Sequence, residues 1–336
     1  MTPLGSQIKS VLVAGAGSIG RRHLGNLKKL GVNRLAACDP HPERLEYAAS
    51  EFQAECFPTF ESGLEQFRPD AVLVCTPPVH HVDQAMQALR AGAHAFIEKP
   101  LSDRMEGIAE LREEAARRQA VVQVGYNLRF HPAIQKLKEL VDAAAVGKIL
   151  WAHVEAGSYL PDWRPWQDYR KSYTARRELG GGILLDGSHE IDYVTWLFGT
   201  PREVACMAGR VSQLDVNVED CATVLLGFPG GPRADVHLDF IQRSYSRYCT
   251  LVGPEGKLHW DLMGNSVEVV RPGAEPETTR FDWQINDAYV AELAHFLDCA
   301  RTDANPRFTL DDAILTLRVT LAARSAAEER KWVSLA

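Results

Sequence analysis

A glycine-rich turn near the start of the chain constrains the fold more than any other stretch. Four apolar residues, 11–14, run directly into Gly15-Ala-Gly17-Ser-Ile-Gly20, and leucines at helical spacing follow as far as Gly31. A strand, a glycine turn and a helix in this order form the phosphate-binding unit of dinucleotide-binding folds. Gly15 allows the tight turn, Gly17 lets the backbone approach a pyrophosphate, and Gly20 lets the helix pack closely on the strand. The helix N-terminus then offers free N–H groups and a positive dipole end to the phosphates.

The strand that follows ends in an acidic residue. Residues 34–38 fit a second buried strand, and Asp39 lies 19 residues after Gly20. A carboxylate about 20 residues after the last glycine is the expected partner of a ribose 2′-hydroxyl. It would repel a 2′-phosphate, so we expect NAD as the cofactor, while Arg44 could pair with such a phosphate and keeps NADP as an alternative. A structural glycine turn, with Asp39 capping the next helix, is the competing interpretation. The cofactor-binding residues predicted here are Gly15, Gly17, Ser18, Ile19, Gly20, Asp39 and Arg44.

Composition argues against several other classes of protein. The 336 residues carry a net charge of −7, which argues against a general attraction to nucleic acid or to an anionic membrane. The seven cysteines include no C-x-x-C pair, so we expect neither a disulfide framework nor a metal site. No apolar run reaches membrane-spanning length, and the first nine residues lack the apolar core of a signal peptide. We therefore expect a cytoplasmic protein with reduced thiols.

The order of predicted elements divides the chain into two domains. Strand-like and helix-like stretches alternate up to about Gly125, which predicts a doubly wound parallel sheet covered on both faces. From Pro201 to Val270 the chain is mostly strand-like with short turns, which predicts a large, open, mostly antiparallel sheet. The predicted fold class is α/β, with an N-terminal Rossmann domain over residues 1–125 and a C-terminal α+β domain over residues 126–336. Helices are expected at 42–52, from about His81 to Gly92, from Ser102 through Ala115, from about Gly182, at 286–301 and at 310–329.

Two predicted strands of the first domain end in residues that suit a binding edge. The carboxyl ends of parallel strands are where cofactor and substrate should meet. Thr76 and Pro77 suit a stiff wall against a flat ring, and an ordinary strand-to-helix loop fits them equally well. Asn127 and Arg129 leave another strand near the same edge, where a structural role is the alternative.

A lysine follows the strand between these two. Lys99 stands between Glu98 and Pro100 at the predicted carboxyl end. There it is a candidate proton donor or oxyanion partner. The alternative is a solvated lysine paired with Glu98.

A second group of polar residues follows three glycines, 180–182. Three glycines let the backbone approach a ligand closely, at an entropic cost that an ordinary helix start does not need. The residues that share one face of the helix predicted to follow are Asp186, His189, Glu190 and Tyr193. Histidine titrates near neutral pH, so His189 can take the proton of an alcohol while a hydride leaves the same carbon, and Asp186 can orient it. The alternative is an interior histidine whose hydrogen bonds are satisfied.

The loop before this helix mixes aromatic and basic side chains over residues 159–177. Aromatic rings suit stacking on a sugar or base, and arginine forks suit a carboxylate or phosphate. The combination favours an anionic carbohydrate or a sugar nucleotide, while a surface or subunit-contact loop is the alternative. The candidate substrate-binding residues in the loop are Trp163, Arg164, Tyr173 and Arg176.

These motifs together resemble the Gfo/Idh/MocA oxidoreductases, a family that includes inositol, glucose–fructose and sugar-nucleotide enzymes. The resemblance covers essentially the whole chain. It rests on the glycine turn, on Thr76-Pro77 followed by His81, on Glu98-Lys99-Pro100, and on the Gly181-Gly182…Asp186…His189 stretch.

The resemblance implies a fold, an assembly and an activity. The fold would be a Rossmann domain with an open antiparallel substrate sheet, through which homodimers or homotetramers form. Lys99 would bind the reacting hydroxyl, His189 would be the general acid/base, and Asp186 would assist it. The family often places this aspartate four residues before the histidine, whereas Asp186 is three before His189, and both spacings share a helix face. The further residues predicted to line the sites are Thr76, Pro77, His81, Glu98, Lys99 and Asn127 for the cofactor and Lys99, Arg129 and His189 for the substrate.

The predicted activity is hydride transfer between NAD and a hydroxyl or keto carbon of a sugar, cyclitol or sugar nucleotide. An NAD-assisted glycosidase of the same fold is an alternative, and net reduction of the cofactor would distinguish the two. A dinucleotide-sensing protein without turnover would not need Lys99 and His189. A methyltransferase with a glycine-rich turn is a third alternative, but Glu98-Lys99-Pro100 would have no role in it.

Overall fold

The computed structural model describes residues 8–302 and 304–335, which form two compact units. The first unit comprises the chain up to Asn127 together with Ile285–Ile314. The second comprises Leu128–Gln284 together with the chain from Leu315 onward. Within these described ranges, no helix is both long enough and apolar enough to cross a membrane.

The first unit is built on a six-stranded sheet in the order β3-β2-β1-β4-β5-β6, with every neighbouring pair parallel. The strands are β1 (Ser10–Ala14), β2 (Arg34–Cys38), β3 (Glu55–Phe57), β4 (Ala71–Val74), β5 (His94–Ile97) and β6 (Val122–Val124). The helices are α1 (Ser18–Lys29), α2 (Pro42–Phe52), α3 (Phe60–Phe67), α4 (His81–Arg90) and α5 (Ile108–Arg118). Every residue of β1, β4, β5 and β6 is buried, as in a parallel sheet covered on both faces. The predicted doubly wound parallel sheet is confirmed.

The division into units departs from the predicted one because a distant segment returns to the first unit. Helix Ile285–Thr302 places Leu293 and Phe296 in the same apolar cluster as Leu24 and Phe96. The rings of Phe96 and Phe296 meet edge to face with their centroids 5.6 Å apart. Apolar packing therefore assigns this helix to the first unit, although the predicted division placed it in residues 126–336.

One predicted helix start in the first unit is wrong. The sequence interpretation had Ser102 capping a helix that runs through Ala115, but α5 begins only at Ile108. Gly107, with φ +78°, precedes it in the left-handed region. The Ser102 hydroxyl instead accepts the backbone N–H of Arg104 at 3.3 Å. The segment from Ser102 to Gly107 is therefore a loop.

The second unit is built on a nine-stranded sheet in the order β14-β13-β12-β11-β7-β10-β9-β8-β15. Its strands are β7 (Trp151–Gly157), β8 (Glu203–Gly209), β9 (Cys221–Gly227), β10 (Arg233–Asp239), β11 (Ser246–Gly253), β12 (Gly256–Asp261), β13 (Ser266–Val270), β14 (Glu277–Arg280) and β15 (Val333–Ser334). The remaining helices are α6 (Pro132–Asp142), α7 (Ile183–Asp186), α8 (Ser188–Phe198), α9 (Ile285–Thr302) and α10 (Leu310–Glu329). Only β7 and β10 pair in parallel, so the mostly antiparallel sheet is also confirmed.

The two faces of this sheet differ in burial. Along β7, Ala152 and Val154 face the core and are fully buried, while Trp151 faces the other side of the sheet and is 46% exposed. The same alternation on β9 leaves Leu225 at 42% exposure. We call the side that carries Trp151, His153, Met207, Leu225 and Asp235 the open face of the sheet.

Candidate active site

The glycine turn has the geometry of a pyrophosphate site. Gly15 has φ +90°, and a Cβ atom there would lie 2.7 Å from the carbonyl oxygen of Cys75. At Gly20 a Cβ atom would lie 1.9 Å from the carbonyl oxygen of Gly15, so α1 packs directly on the turn. At Gly17 the nearest atom to a Cβ is Arg44 Nη1, 4.0 Å away, so the space beside its backbone is open.

Helix α1 also begins without a side-chain cap. Its cap residue is Gly17, and no acidic residue lies in its first turn. The first N–H groups of a helix have no partner within the helix, and they attract an anion. An open flank at Gly17 next to these donors fits a dinucleotide phosphate, so the residues present suit the cofactor that the motif predicts.

Asp39 lies at the end of β2 and is tied to this turn. Its Oδ2 accepts the N–H of Ala16 at 2.9 Å and Nη1 of Arg44 at 3.2 Å, and its Oδ1 accepts the N–H of His41 at 2.9 Å. The residue is 3% exposed, whereas the Arg44 side chain is 36% exposed. The preference for NAD that we attribute to Asp39 stays a prediction, because the same pair offers one group that repels a 2′-phosphate and one that attracts it.

The residues after β4 form a connected wall. His81 is buried, with Nδ1 2.8 Å from the carbonyl oxygen of Pro100 and Nε2 2.8 Å from that of Thr76. Burial lowers the pKa of His81, so its neutral ring donates to one of these two carbonyls at a time. The Thr76 hydroxyl donates to Gln84 at 2.7 Å. His81 thus links the loops after β4 and β5, and the structure places its ring in the interior of the unit.

The loop after β5 carries Lys99. Glu98 is 7% exposed; its Oε2 accepts the N–H of Lys99 at 3.2 Å, and its Oε1 lies 2.6 Å from Nε2 of His23. The carboxylate therefore holds the backbone at Lys99 on one side and helix α1 on the other. Asn127, also predicted at this edge, begins a short helical turn and is buried.

Two residues of this cluster were missed in the sequence. His23 and Glu292 are fully buried, and one ligand atom each of His23, Glu98 and Glu292 lie within 4.8 Å of one another. Neither carboxylate oxygen of Glu292 has a hydrogen-bond partner among the described residues. Burial, aided by the charge of Glu98, raises the pKa of Glu292, so this carboxyl keeps its proton. The available signals were a histidine three residues after Gly20 and a glutamate on the apolar side of the helix at 286–301.

In the second unit, the predicted single helix after the glycines is two. Helix α7 ends at Asp186 and α8 begins at Ser188, with Gly187 between them. Asp186 and His189 are 7% and 8% exposed, and the Tyr173 hydroxyl donates to Oδ1 of Asp186 at 2.8 Å. The expectation that these residues lie on one continuous helix face is wrong, yet the loop does bring Tyr173 to Asp186.

The other two residues predicted on that face lie in the interior of the unit. Glu190 accepts two hydrogen bonds from Arg247, at 2.8 and 3.1 Å, and is fully buried. This ion pair raises the pKa of Arg247, against the opposing effect of its burial. Tyr193 is also fully buried, and burial raises its pKa well above the ordinary value. Both residues stabilise the helix layer against the sheet.

The triple glycine is required by packing within the unit. A Cβ atom at Gly181 would lie 2.2 Å from the carbonyl oxygen of Tyr173, and one at Gly182 would lie 2.3 Å from Oε1 of Glu219. Protein atoms therefore occupy the space that the sequence interpretation left for a ligand. Only glycine fits because the neighbouring chain already fills these positions.

Arg129 has an interior partner as well. Its Nε and Nη2 donate to the two carboxylate oxygens of Asp192, each at 2.7 Å, and both side chains are 2% exposed. Breaking a buried pair of this kind leaves an uncompensated charge, so such a pair is held in place. This pair fits the structural alternative for Arg129, and its contact with substrate stays a prediction.

The basic and aromatic loop is partly folded on itself. The indole N–H of Trp163 donates to the Ser158 hydroxyl, and its ring meets Phe240 edge to face at 5.3 Å. Arg176 donates from Nε to the carbonyl oxygen of Arg170 at 2.8 Å. Arg164 is half-buried.

Comparisons with known proteins agree with this fold. A family model described as an oxidoreductase family with an NAD-binding Rossmann fold matches residues 9–126. A second model, for the C-terminal alpha/beta domain of the same oxidoreductase family, matches residues 138–335. The two matches together span most of the chain.

Curated relatives share about a quarter of their residues with this chain. The myo-inositol 2-dehydrogenase of Thermotoga maritima is 26% identical over 96% of this chain and 97% of that protein. The scyllo-inositol 2-dehydrogenase (NAD(+)) of Bacillus subtilis is 27% identical over 94% and 92%. Among solved structures, the WlbA dehydrogenase from Bordetella pertussis in complex with NADH and UDP-GlcNAcA has a TM-score of 0.84 at 20% identity, with 99% of each chain covered. At that identity the structure supports the fold alone.

Proposed function

The chain belongs to the Gfo/Idh/MocA oxidoreductase family, and from this premise we propose that it is an NAD-dependent dehydrogenase of a cyclitol, sugar or sugar nucleotide. The observation that carries the proposal is Lys99, which directly follows the buried Glu98 at the end of β5, in the same unit as the open glycine turn. Full-length relatives that oxidise inositols support the class of substrate. The aromatic and basic loop before α7 keeps sugar nucleotides within the proposed class.

The cofactor would be held by residues of the first unit. The N–H groups at the start of α1, beside Gly17, would receive the pyrophosphate. Asp39 would accept hydrogen bonds from the adenosine ribose, and the wall formed by Thr76 and Pro77 would flank the dinucleotide. When bound, the nicotinamide supplies the hydride acceptor.

Three side chains would manage the hydroxyl proton. The ammonium of Lys99 would bind the reacting oxygen and stabilise the negative charge that develops on it. The imidazole of His189 would take the hydroxyl proton during oxidation and return it during reduction. Asp186, which accepts the Tyr173 hydroxyl, would orient His189.

Preference for an anionic substrate would come from Arg164. This half-buried guanidinium can pair with a carboxylate or phosphate in a bidentate manner. Arg176 is a weaker candidate, because its Nε is already bonded to a backbone carbonyl and its Nη1 lies 3.6 Å from Glu178.

Cofactor reduction tests the proposal. Wild-type protein with NAD should form NADH in proportion to added inositol, sugar or UDP-sugar. Lys99→Met and His189→Ala should each lower kcat by about 10²–10⁴-fold while NAD still binds, because each removes one positioned proton-transfer group. Lys29→Met, which changes an exposed lysine on α1, is the control and should leave kcat unchanged.

The stoichiometry decides between the alternatives. Bond cleavage in the sugar without net NADH would favour an NAD-assisted glycosidase, and NAD binding without turnover on any substrate would favour a sensing protein. Near-normal kcat in the Lys99 variant would assign that residue a structural role.

A further inference from the structure

A cavity opens in the second unit, apart from the residues assigned to the active site. Its volume is about 370 Å³, and neither Asp186 nor His189 lines it. It lies among the C-terminal half of α10, the end of β8 and the residues just before β9. The polar side chains that line it are Arg177, Arg210, Asn217, Glu219, Arg324 and Glu328.

Three arginines from three separate elements converge on this cavity. Arg177 begins the short helical turn Arg177–Leu179, Arg210 follows β8, and Arg324 lies on α10. Glu328 partly compensates them at the rim, where its carboxylate lies 3.7 Å from Nη1 of Arg177 and both side chains are mostly exposed. Like charges repel when they share a partly desolvated space, so a cavity with this lining attracts negative charge.

Arg324, which lines the cavity, also has an unused donor. Its Nε is buried and has no hydrogen-bond partner among the described residues. A buried donor without an acceptor costs free energy, and a guanidinium offers a planar fork that matches the oxygens of phosphate or carboxylate. The geometry around Arg324 therefore lacks an acceptor of that kind.

Glu219 joins the cavity to the start of α7. Its Oε1 accepts the N–H of Leu184 at 3.3 Å, and its carbonyl oxygen accepts the N–H of Ile183 at 3.1 Å. Burial raises the pKa of Glu219, against the opposing effect of the positive charges of Arg324 and Arg177. Three arginines and two glutamates line the cavity, so its lining carries an excess of positive charge.

We propose that this cavity is a second ligand site, which binds a small oxyanion through Arg324, Arg210 and Arg177. The ligand class is a phosphate or carboxylate group, free or as part of a small metabolite, and 370 Å³ accommodates a few such groups. The site is independent of the proposed dehydrogenase activity, since binding there is measured without turnover.

Calorimetric titration with inorganic phosphate tests the site. The protein is first saturated with NAD, so that the glycine turn is occupied, and ionic strength is held constant with chloride. Wild type should bind phosphate with saturation at one site per chain. Arg324→Gln should weaken binding roughly ten- to a hundredfold, the equivalent of one or two charge-assisted hydrogen bonds. The phosphate affinity of Arg324→Lys should lie between those of wild type and Arg324→Gln, because lysine keeps the positive charge but lacks the planar guanidinium.

Arg280→Gln is the matched control, since Arg280 is exposed on β14 and lies outside the cavity. Its phosphate affinity should equal that of wild type. A parallel titration with malonate, a dicarboxylate, shows which ligand class the site prefers. Tighter binding of phosphate would favour a phosphate ligand, and tighter binding of malonate would favour a carboxylate. Absence of saturable binding for both probes, or equal binding by wild type and an Arg324→Gln variant with an unchanged thermal midpoint, would overturn the proposal.

Discussion

At the scale of single residues, the buried cluster beside Lys99 determines charge where the chemistry is proposed. Glu98 is hydrogen-bonded to His23, while Glu292 lies close by without a partner among the described residues. Two adjacent buried carboxyls cannot both ionise cheaply. Burial and the nearby Glu98 therefore raise the pKa of Glu292, next to the carboxylate that accepts the backbone N–H of Lys99.

The raised pKa of Glu292 predicts how stability depends on pH. The folded protein holds this proton at pH values where the unfolded chain, with an ordinary pKa near 4.5, has lost it. Its contribution to stability is therefore complete below pH 4.5 and declines as pH rises toward the folded pKa, by up to about 1.4 kcal/mol per pH unit. Glu292→Gln removes this loss, so the variant should become more stable than wild type as pH rises from 4.5.

Urea unfolding of both proteins across this pH range measures the difference. Glu113→Gln, which changes an exposed residue of α5 in the same unit, should follow wild type at every pH. Parallel curves for Glu292→Gln and wild type would show that Glu292 is ionised in the folded protein.

Residues differ in how well the sequence predicts them. Gly15, Gly17, Gly20 and Asp39 carry a local spacing with a known physical purpose, so their positions at the turn could be predicted. His23 and Glu292 meet only through tertiary packing across 269 residues of chain, and no local pattern contains that contact. The pairing of Arg129 with Asp192 could not be predicted for the same reason, because Asp192 lies on another element.

At the scale of elements, the join between the loop and α7 depends on glycine. Gly182 has φ +114° and ψ 150°, a region that is essentially restricted to glycine. Gly199, which ends α8, has φ +85° and ψ −156° in the same region, but nothing lies within 4 Å of its Cβ position. Substitutions at these two glycines therefore distinguish the cost of backbone strain alone from the cost of strain with a steric clash.

Alanine substitutions at both positions should differ in their cost. Gly199→Ala should lose about 1–3 kcal/mol from backbone strain alone. Gly182→Ala should lose a further 1–3 kcal/mol, roughly, because its Cβ would lie 2.3 Å from Oε1 of Glu219 and force that side chain to move. Thermal unfolding of the two variants measures the gap, and equal midpoints would show that Glu219 moves freely.

Elements with a strong local pattern could be predicted closely. Helices α2 and α10 begin and end where the sequence places them, since a proline marks the start of α2 and a long run without glycine or proline marks α10. The break at Gly187 could not be predicted, because a glycine inside an apolar helical pattern is usually tolerated. Packing accounts for that glycine, since a Cβ there would lie 2.8 Å from Leu238.

At the scale of the whole molecule, the order of strands and helices was enough to predict both sheets. Alternating elements require a parallel sheet, and consecutive strands require an antiparallel one. The return of α9 to the first unit could not be predicted in this way. Its assignment depends on which apolar cluster its residues join, and periodicity does not carry that information.

The open face of the second sheet leads to the last prediction, which concerns assembly. Leu225 is 42% exposed, Met207 is 79% exposed and Trp151 is 46% exposed on this one face. Exposed apolar residues gathered on a flat sheet mark an interaction surface, and the face is the same on every copy of the chain. We therefore expect two copies to associate through their open faces, as a dimer or as part of a tetramer.

Leu225→Arg should break that association. The new guanidinium would face Asp235, its register partner on β10, so the strand can still pair while the apolar contact between copies is lost. Light scattering after gel filtration should give a multiple of 37.3 kDa for wild type and about one chain for the variant. Met263→Arg adds the same charge at a residue that is 64% exposed in the turn after β12, away from the open face, and should keep the wild-type mass. A wild-type monomer, or a Leu225→Arg variant with the wild-type mass, would contradict assembly through this face.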